Sequence, residues 1–88
     1  MYLHLGQETI VKFDDIIGIF DMDTSTVSKI TRDFLKIAEK NGSVTNVSYE
    51  LPKSFTVCKK NNKKRVYISQ LSSSTLQKRA ASNKILYD

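Results

Sequence analysis

A chain of 88 residues with one cysteine, Cys58, and one histidine, His4, has almost no means of stapling itself together. Domains of this size bury only about 60% of the surface that their unfolded chains expose, and hydrophobic gain against conformational entropy comes out close to zero. The usual supplements are disulfides, a structural metal or oligomerisation. One thiol and one imidazole close the first two routes, so self-association is the supplement that remains.

The composition is that of a globular domain. At 40% hydrophobic and 26% charged, with three glycines and one proline, the chain resembles neither a disordered segment nor collagen. No apolar run approaches the roughly 18 residues of a membrane span. Residues 1–7 lack the basic start and continuous apolar stretch of a secretory signal, and a lone cysteine suits a reducing compartment, so a cytoplasmic location is expected and no membrane partner.

Charge is unevenly distributed. Residues 1–50 carry five basic and eight acidic side chains, whereas residues 51–88 carry nine basic and one acidic. A pI of about 9.4 and a net charge of +5 point to an anionic partner. If the C-terminal half forms contiguous surface, that surface is electropositive.

Hydrophobic periodicity orders the elements. Tyr2-Leu-His-Leu5 and Thr9-Ile-Val-Lys12, separated by Gly6-Gln7-Glu8, predict an N-terminal hairpin. Ile16-Ile-Gly-Ile-Phe20 is apolar throughout, which predicts a strand covered on both faces, by a helix or by a neighbouring subunit. A helix follows, with Asp23 as cap, a Met22/Val27 staple and a stripe of Val27, Ile30, Phe34, Ile37 and Ala38 widened by Leu35. Lys36 and Lys40 suit its C-terminal dipole, and Asn41-Gly42 closes it. Residues 44–49, 54–58 and 64–69 predict three more strands, the last two joined through an Asn61-Asn62 turn. A short helix begins near Leu71, capped by Ser72 with a Leu71/Leu76 staple, or by Ser74 with Gln77 completing a capping box. The expected architecture is a single α+β domain over residues 1–82, with a small, largely antiparallel sheet, one main helix after the third strand and a short C-terminal helix. Residues 83–88 are expected to form a loose tail whose Ile85, Leu86 and Tyr87 are available to dock on a neighbour.

Catalytic and metal-binding patterns are missing. There is no glycine-rich phosphate loop, dinucleotide fingerprint or zincin helix. His4 and Cys58 read as structural residues, since neither has a partner to activate it. Asp14-Asp15 and Asp21-Met-Asp23 stand where the chain changes structure, which suits turns and caps better than a hard cation that needs many oxygens. No enzyme, metal or cofactor is expected.

The basic constellation is the functional candidate. Lys59, Lys60, Lys63, Lys64 and Arg65 place five cations in seven residues around the expected turn. Such a β-ribbon can straddle a DNA groove through phosphate contacts; it can equally be a solvated turn whose lysines discourage edge pairing. Lys53, Lys78, Arg79 and Lys84 strengthen the first reading if they share the ribbon's face. Few arginines and no repeated aromatic platform argue against sequence-specific readout or single-strand stacking.

Tyr2-Leu-His-Leu-Gly6, Ile10-Val11, Asp15-Ile-Ile-Gly-Ile-Phe-Asp21, Pro52-Lys-Ser54 and Leu71-Ser-Ser-Ser-Thr-Leu-Gln-Lys-Arg-Ala80 together resemble the RemA/RemB family of bacterial extracellular matrix regulators, in particular its RemB branch. The resemblance spans nearly the whole chain, and the serine-rich segment before Lys78-Arg79 is its most specific part. It implies a regulator of biofilm matrix genes that binds double-stranded DNA, has a LytTR-like fold and assembles into a ring-like homo-oligomer; a RemA-type protein partner is the alternative. The chain departs from the RemA branch in one respect. An arginine-rich loop of the form Gly-Arg-Arg-Thr-Arg is replaced by Glu50-Leu-Pro-Lys-Ser54, and an arginine in an earlier turn by Asp14-Asp15. DNA contact must then rest on Lys53, the ribbon from Lys59 to Arg65, and Lys78 with Arg79.

Overall fold

In the computed structural model, which describes the backbone of residues 1–87 and the side chains of residues 1–82, the N-terminal alternation folds as expected. Tyr2–Gly6 (β1) and Thr9–Lys12 (β2) pair antiparallel, with Leu3 opposite Val11 and Tyr2 opposite Lys12. Leu3, Leu5 and Val11 turn inward while Tyr2, His4, Ile10 and Lys12 stay exposed, the period-2 pattern of a half-buried hairpin. A 3-10 turn, Phe13–Asp15, leads into Ile16–Asp21 (β3).

β3 is the edge of a four-stranded sheet of order β3-β5-β6-β4, where β4 is Val44–Asn46, β5 Ser54–Lys60 and β6 Lys63–Ser69. The β3–β5 and β5–β6 pairings are antiparallel; β4 joins β6 in parallel. β4 is shorter than the expected 44–49. Val47 is still tied in, donating its N–H to the Ile68 carbonyl at 2.9 Å, but the chain then turns away and Tyr49 stands in solvent.

The main helix is split, which corrects the expected cap. Asp21, not Asp23, caps it: its carboxylate accepts from the Thr24 N–H at 2.9 Å, and Met22–Ser25 (α1) follows. The run Thr24-Ser-Thr-Val-Ser28 then interrupts the helix, because short hydroxyl side chains compete for backbone groups. Thr26 Oγ1 donates to the Met22 carbonyl at 2.6 Å, and Arg32 Nη1 donates to the carbonyls of Thr26 and Val27 at 2.9 and 2.8 Å. With those carbonyls satisfied, the chain restarts as Lys29–Lys40 (α2) and ends at Asn41 and Gly42, whose φ of +70° suits a left-handed closure. The Met22/Val27 staple does not form, since Val27 is exposed.

The last helix, Ser73–Tyr87 (α3), starts from Ser72: its Oγ accepts from the Thr75 N–H at 3.1 Å, which decides between the two candidate caps. Leu76 is fully buried and Leu71 packs against the same cluster, as the staple requires. α3 extends through the stretch from Asn83 read as a tail, with no Gly or Pro after Ser72 to stop it. The side chains of Lys84, Ile85, Leu86 and Tyr87, and all of Asp88, lie outside the described residues.

These elements make three layers. The β1–β2 hairpin and α3 cover one face of the sheet, closing a cluster of Leu3, Leu5, Val11, Val47, Cys58 and Leu76. On the other face α2 lays Ala38, with Phe34 and Leu35, over Phe55, Val57 and Val66. Serine hydroxyls lock the end of the sheet: Ser69 Oγ donates to the Leu5 carbonyl at 2.6 Å and accepts from Leu71 N–H, while Ser54 Oγ donates to the Leu71 carbonyl at 2.7 Å. The result is α+β, with a small sheet, a main helix and a C-terminal helix.

Candidate nucleic-acid interface

Backbone conformation builds the ribbon. Asn61 and Asn62 have φ of +53° and +64°, the left-handed pair that a two-residue hairpin turn needs and that asparagine tolerates. The turn fixes the register as Lys60 opposite Lys63, Lys59 opposite Lys64 and Cys58 opposite Arg65. Directly opposed like charges are destabilising, by a fraction of a kcal/mol per pair up to about 1. Two stacked lysine pairs therefore raise the ribbon's energy in the free protein, a cost that an anion would relieve.

All five cations are exposed. Strand alternation divides them between the two sides of the ribbon: Lys60, Lys63 and Arg65 lie with Cys58 on the hairpin side, and Lys59 and Lys64 with Val57 on the α2 side. Arg65 Nη1 donates to Thr45 Oγ1 at 3.0 Å, which orients its guanidinium. Among the described residues the one ion pair joins Lys29 to Asp33 at 2.8 Å, far from the ribbon in sequence and on α2.

The structure does not gather every expected cation here. Lys53 precedes β5, so about seven residues at roughly 3.3 Å each put it some 23 Å from the turn; its N–H donates to the Ser69 carbonyl and its carbonyl accepts from Met22 N–H. Lys78 and Arg79 lie on α3 beside β1, where Arg79 Nη1 donates to the His4 carbonyl at 3.2 Å and both line a shallow groove with Tyr2. Glu50-Leu-Pro-Lys-Ser54 lies at that same remote end, with Tyr49 and Leu51 exposed beside it.

One cation close to the ribbon, though not among those expected to meet DNA, is not apparent from the linear sequence. Lys12 on β2 joins Lys60, Lys63 and Arg65 around a groove between the two hairpins. It lies far from the ribbon in sequence, and only its outward position in the β2 alternation hints at its place. Tyr67 and Cys58 also line this groove. Burial pushes the Cys58 thiol up to about 11, with the Asp15 charge acting in the same direction; a thiol held protonated is a poor nucleophile. His4, whose Nε2 lies 2.6 Å from the Gln7 carbonyl, closes the β1–β2 turn.

Among the described residues no helix is long and apolar enough to cross a membrane. The family model described as RemA-like, extracellular matrix regulatory protein A-like, matches residues 2–80. The chain is also 45% identical over 80 residues to extracellular matrix regulatory protein B of Bacillus subtilis (strain 168), covering 91% of this chain and 90% of that protein. A match of that extent takes in the β1–β2 hairpin, the ribbon and the Ser72 cap together, and the chain belongs to the RemA-like family of extracellular matrix regulators.

Proposed function

We propose that the protein is an oligomeric, DNA-binding transcriptional regulator of extracellular matrix genes that grips the duplex mainly through its phosphates. The observation that carries this reading is the β5–β6 ribbon, where Lys59, Lys60, Lys63, Lys64 and Arg65 stand exposed beyond the packed core. Lysine ammonium groups act as point charges toward phosphate and carry little base information. Lys78 and Arg79 form a second, separate basic contact, and Lys53 a third.

Self-association is supported by the α2 side of the sheet. β3 was expected to be covered twice, yet Ile17 is 56% exposed, while Val27 and Ile30 on the neighbouring helical region are 78% and 82% exposed. Ile37 continues that stripe one heptad after Ile30. A second copy seated there supplies the missing layer, and repetition around a ring multiplies the phosphate contacts.

Charge reversal tests the ribbon. K63E/K64E is expected to abolish binding to duplexes of any sequence in a filter-binding titration, while the fold, read by circular dichroism, is kept. Unchanged affinity contradicts the assignment. A second reading, an adaptor that binds a RemA-type protein, draws support from Tyr49 and Leu51, both exposed at the site of the replaced arginine loop. It predicts no duplex binding even at low salt, and loss of the protein complex on Leu51→Asp.

A further inference from the structure

The groove between the β1–β2 hairpin and the ribbon has features that duplex binding leaves unused. Its volume of about 580 Å³ lies within the range of small-molecule sites, about 300–1,000 Å³. Lys12, Lys60, Lys63 and Arg65 reach it from two separate hairpins, beside aromatic and apolar side chains: Tyr2 and Ile10 flank Lys12 on the N-terminal hairpin, and Tyr67 follows Arg65 on β6. Asp15 is the carboxylate of the lining. Phosphate contacts alone require neither an apolar wall nor an acceptor.

We propose that this groove binds a small nucleotide carrying two or more phosphates, with Lys12, Lys60, Lys63 and Arg65 holding the phosphates and the Tyr2/Ile10 wall taking the base. Arg65 spends one N–H on Thr45 Oγ1 and keeps the rest of its fork for a phosphate oxygen. The Tyr67 hydroxyl, protonated at neutral pH and raised further by burial, offers a donor to the groove. Asp15 repels phosphate and accepts from a sugar hydroxyl or a base amino group. The phosphates then lie between Lys12 and the ribbon, with the nucleoside along Tyr2 and Ile10. The site stands on the geometry of the groove; only its competition with DNA for Lys60, Lys63 and Arg65 rests on the proposed function.

Isothermal titration of the full chain with ATP, tripolyphosphate and adenosine at fixed ionic strength tests the site. Saturable binding of one ATP per chain is expected, about tenfold tighter than tripolyphosphate, because the base adds contacts that the bare anion lacks. Lys12→Glu lies outside the residues assigned to DNA and is exposed, so it should keep the fold and the duplex affinity while weakening ATP about tenfold. K63E/K64E should weaken both ligands. ATP bound no tighter than tripolyphosphate, or ATP binding indifferent to Lys12→Glu, overturns the proposal. Duplex affinity indifferent to K63E/K64E, with ATP binding still sensitive to Lys12→Glu, leaves the groove in place and removes the DNA reading instead.

Discussion

The two faces of the four-stranded sheet are finished to different degrees. On the hairpin side Leu3, Leu5 and Leu76 are 0% exposed, and Ser69 ties the sheet to its surroundings as donor to one strand and acceptor from the next loop. On the α2 side Phe34, Leu35 and Ala38 cover part of the sheet, while Ile17, Phe20, Val27 and Ile30 remain in water. Gly18 shapes this open edge: a Cβ there would meet the Phe20 ring at 2.6 Å, so the glycine lets that ring lie along β3 and stack on Phe55 at a centroid distance of 5.1 Å. Under the proposed function the contrast divides the tasks. The closed face stabilises the single chain, the open face is suited to a second copy, and the ribbon extends beyond both.

The largest effect expected from breaking this contrast lies on the closed face. Leu76→Ala should cost about 2–5 kcal/mol in urea unfolding, since it empties a fully buried site at the junction of α3 with the hairpin. Ser69→Ala should cost about 1–3 kcal/mol by the same measurement, because it leaves the buried Leu5 carbonyl without its donor. A change in the opposite direction is expected from Thr56→Val. The Thr56 hydroxyl is buried with no partner among the described residues, so removing it should be neutral or stabilising by up to about 1 kcal/mol.

The closed face also has a pH signature. Because burial raises the folded-state pKa of Cys58 from 9.0 to about 11, the unfolded chain gives up its thiol proton first. Stability attributable to this group is complete below about pH 9 and falls as pH rises toward about pH 11. Thiol alkylation of the native protein near neutral pH should be correspondingly slow. The smallest effect on folding belongs to the open face. Ile30→Asp should shift monomer stability by no more than about 0.5 kcal/mol, yet it should convert an oligomer to a monomer in sedimentation velocity. An unchanged assembly state would mean that the stripe on α2 serves some other purpose.

Local chemistry was readable where a single residue decides the outcome. Asn61-Asn62 announced its turn, Gly42 the end of α2, and the alternation of Leu3, Leu5 and Val11 the N-terminal hairpin. Readings that depended on distant partners fared differently. Val27, Ile30 and Ile37 fall at helical spacing and read as core, but hydrophobic period reports that a face is apolar and not what covers it. Asp21 and Asp23 are both competent caps; the hydroxyl run that breaks the helix at residues 26–28 favours the earlier start. The parallel pairing of β4 with β6 has no local signature, and neither does the groove that Lys12 and Lys63 both line, which requires two hairpins to pack side by side.

The most direct test of the central claim is sedimentation velocity of the intact protein, alone and with a random-sequence duplex, at about 50 and about 200 mM salt. The account predicts an oligomer that carries duplex at the lower salt and releases it steeply at the higher, with a slope of log affinity on log salt of about −0.9 for each phosphate neutralised and thus beyond about −3.6 when four or more are engaged. An oligomer that leaves the duplex free even at the lower salt would contradict it and favour a protein partner for the ribbon and for the Tyr49–Leu51 loop.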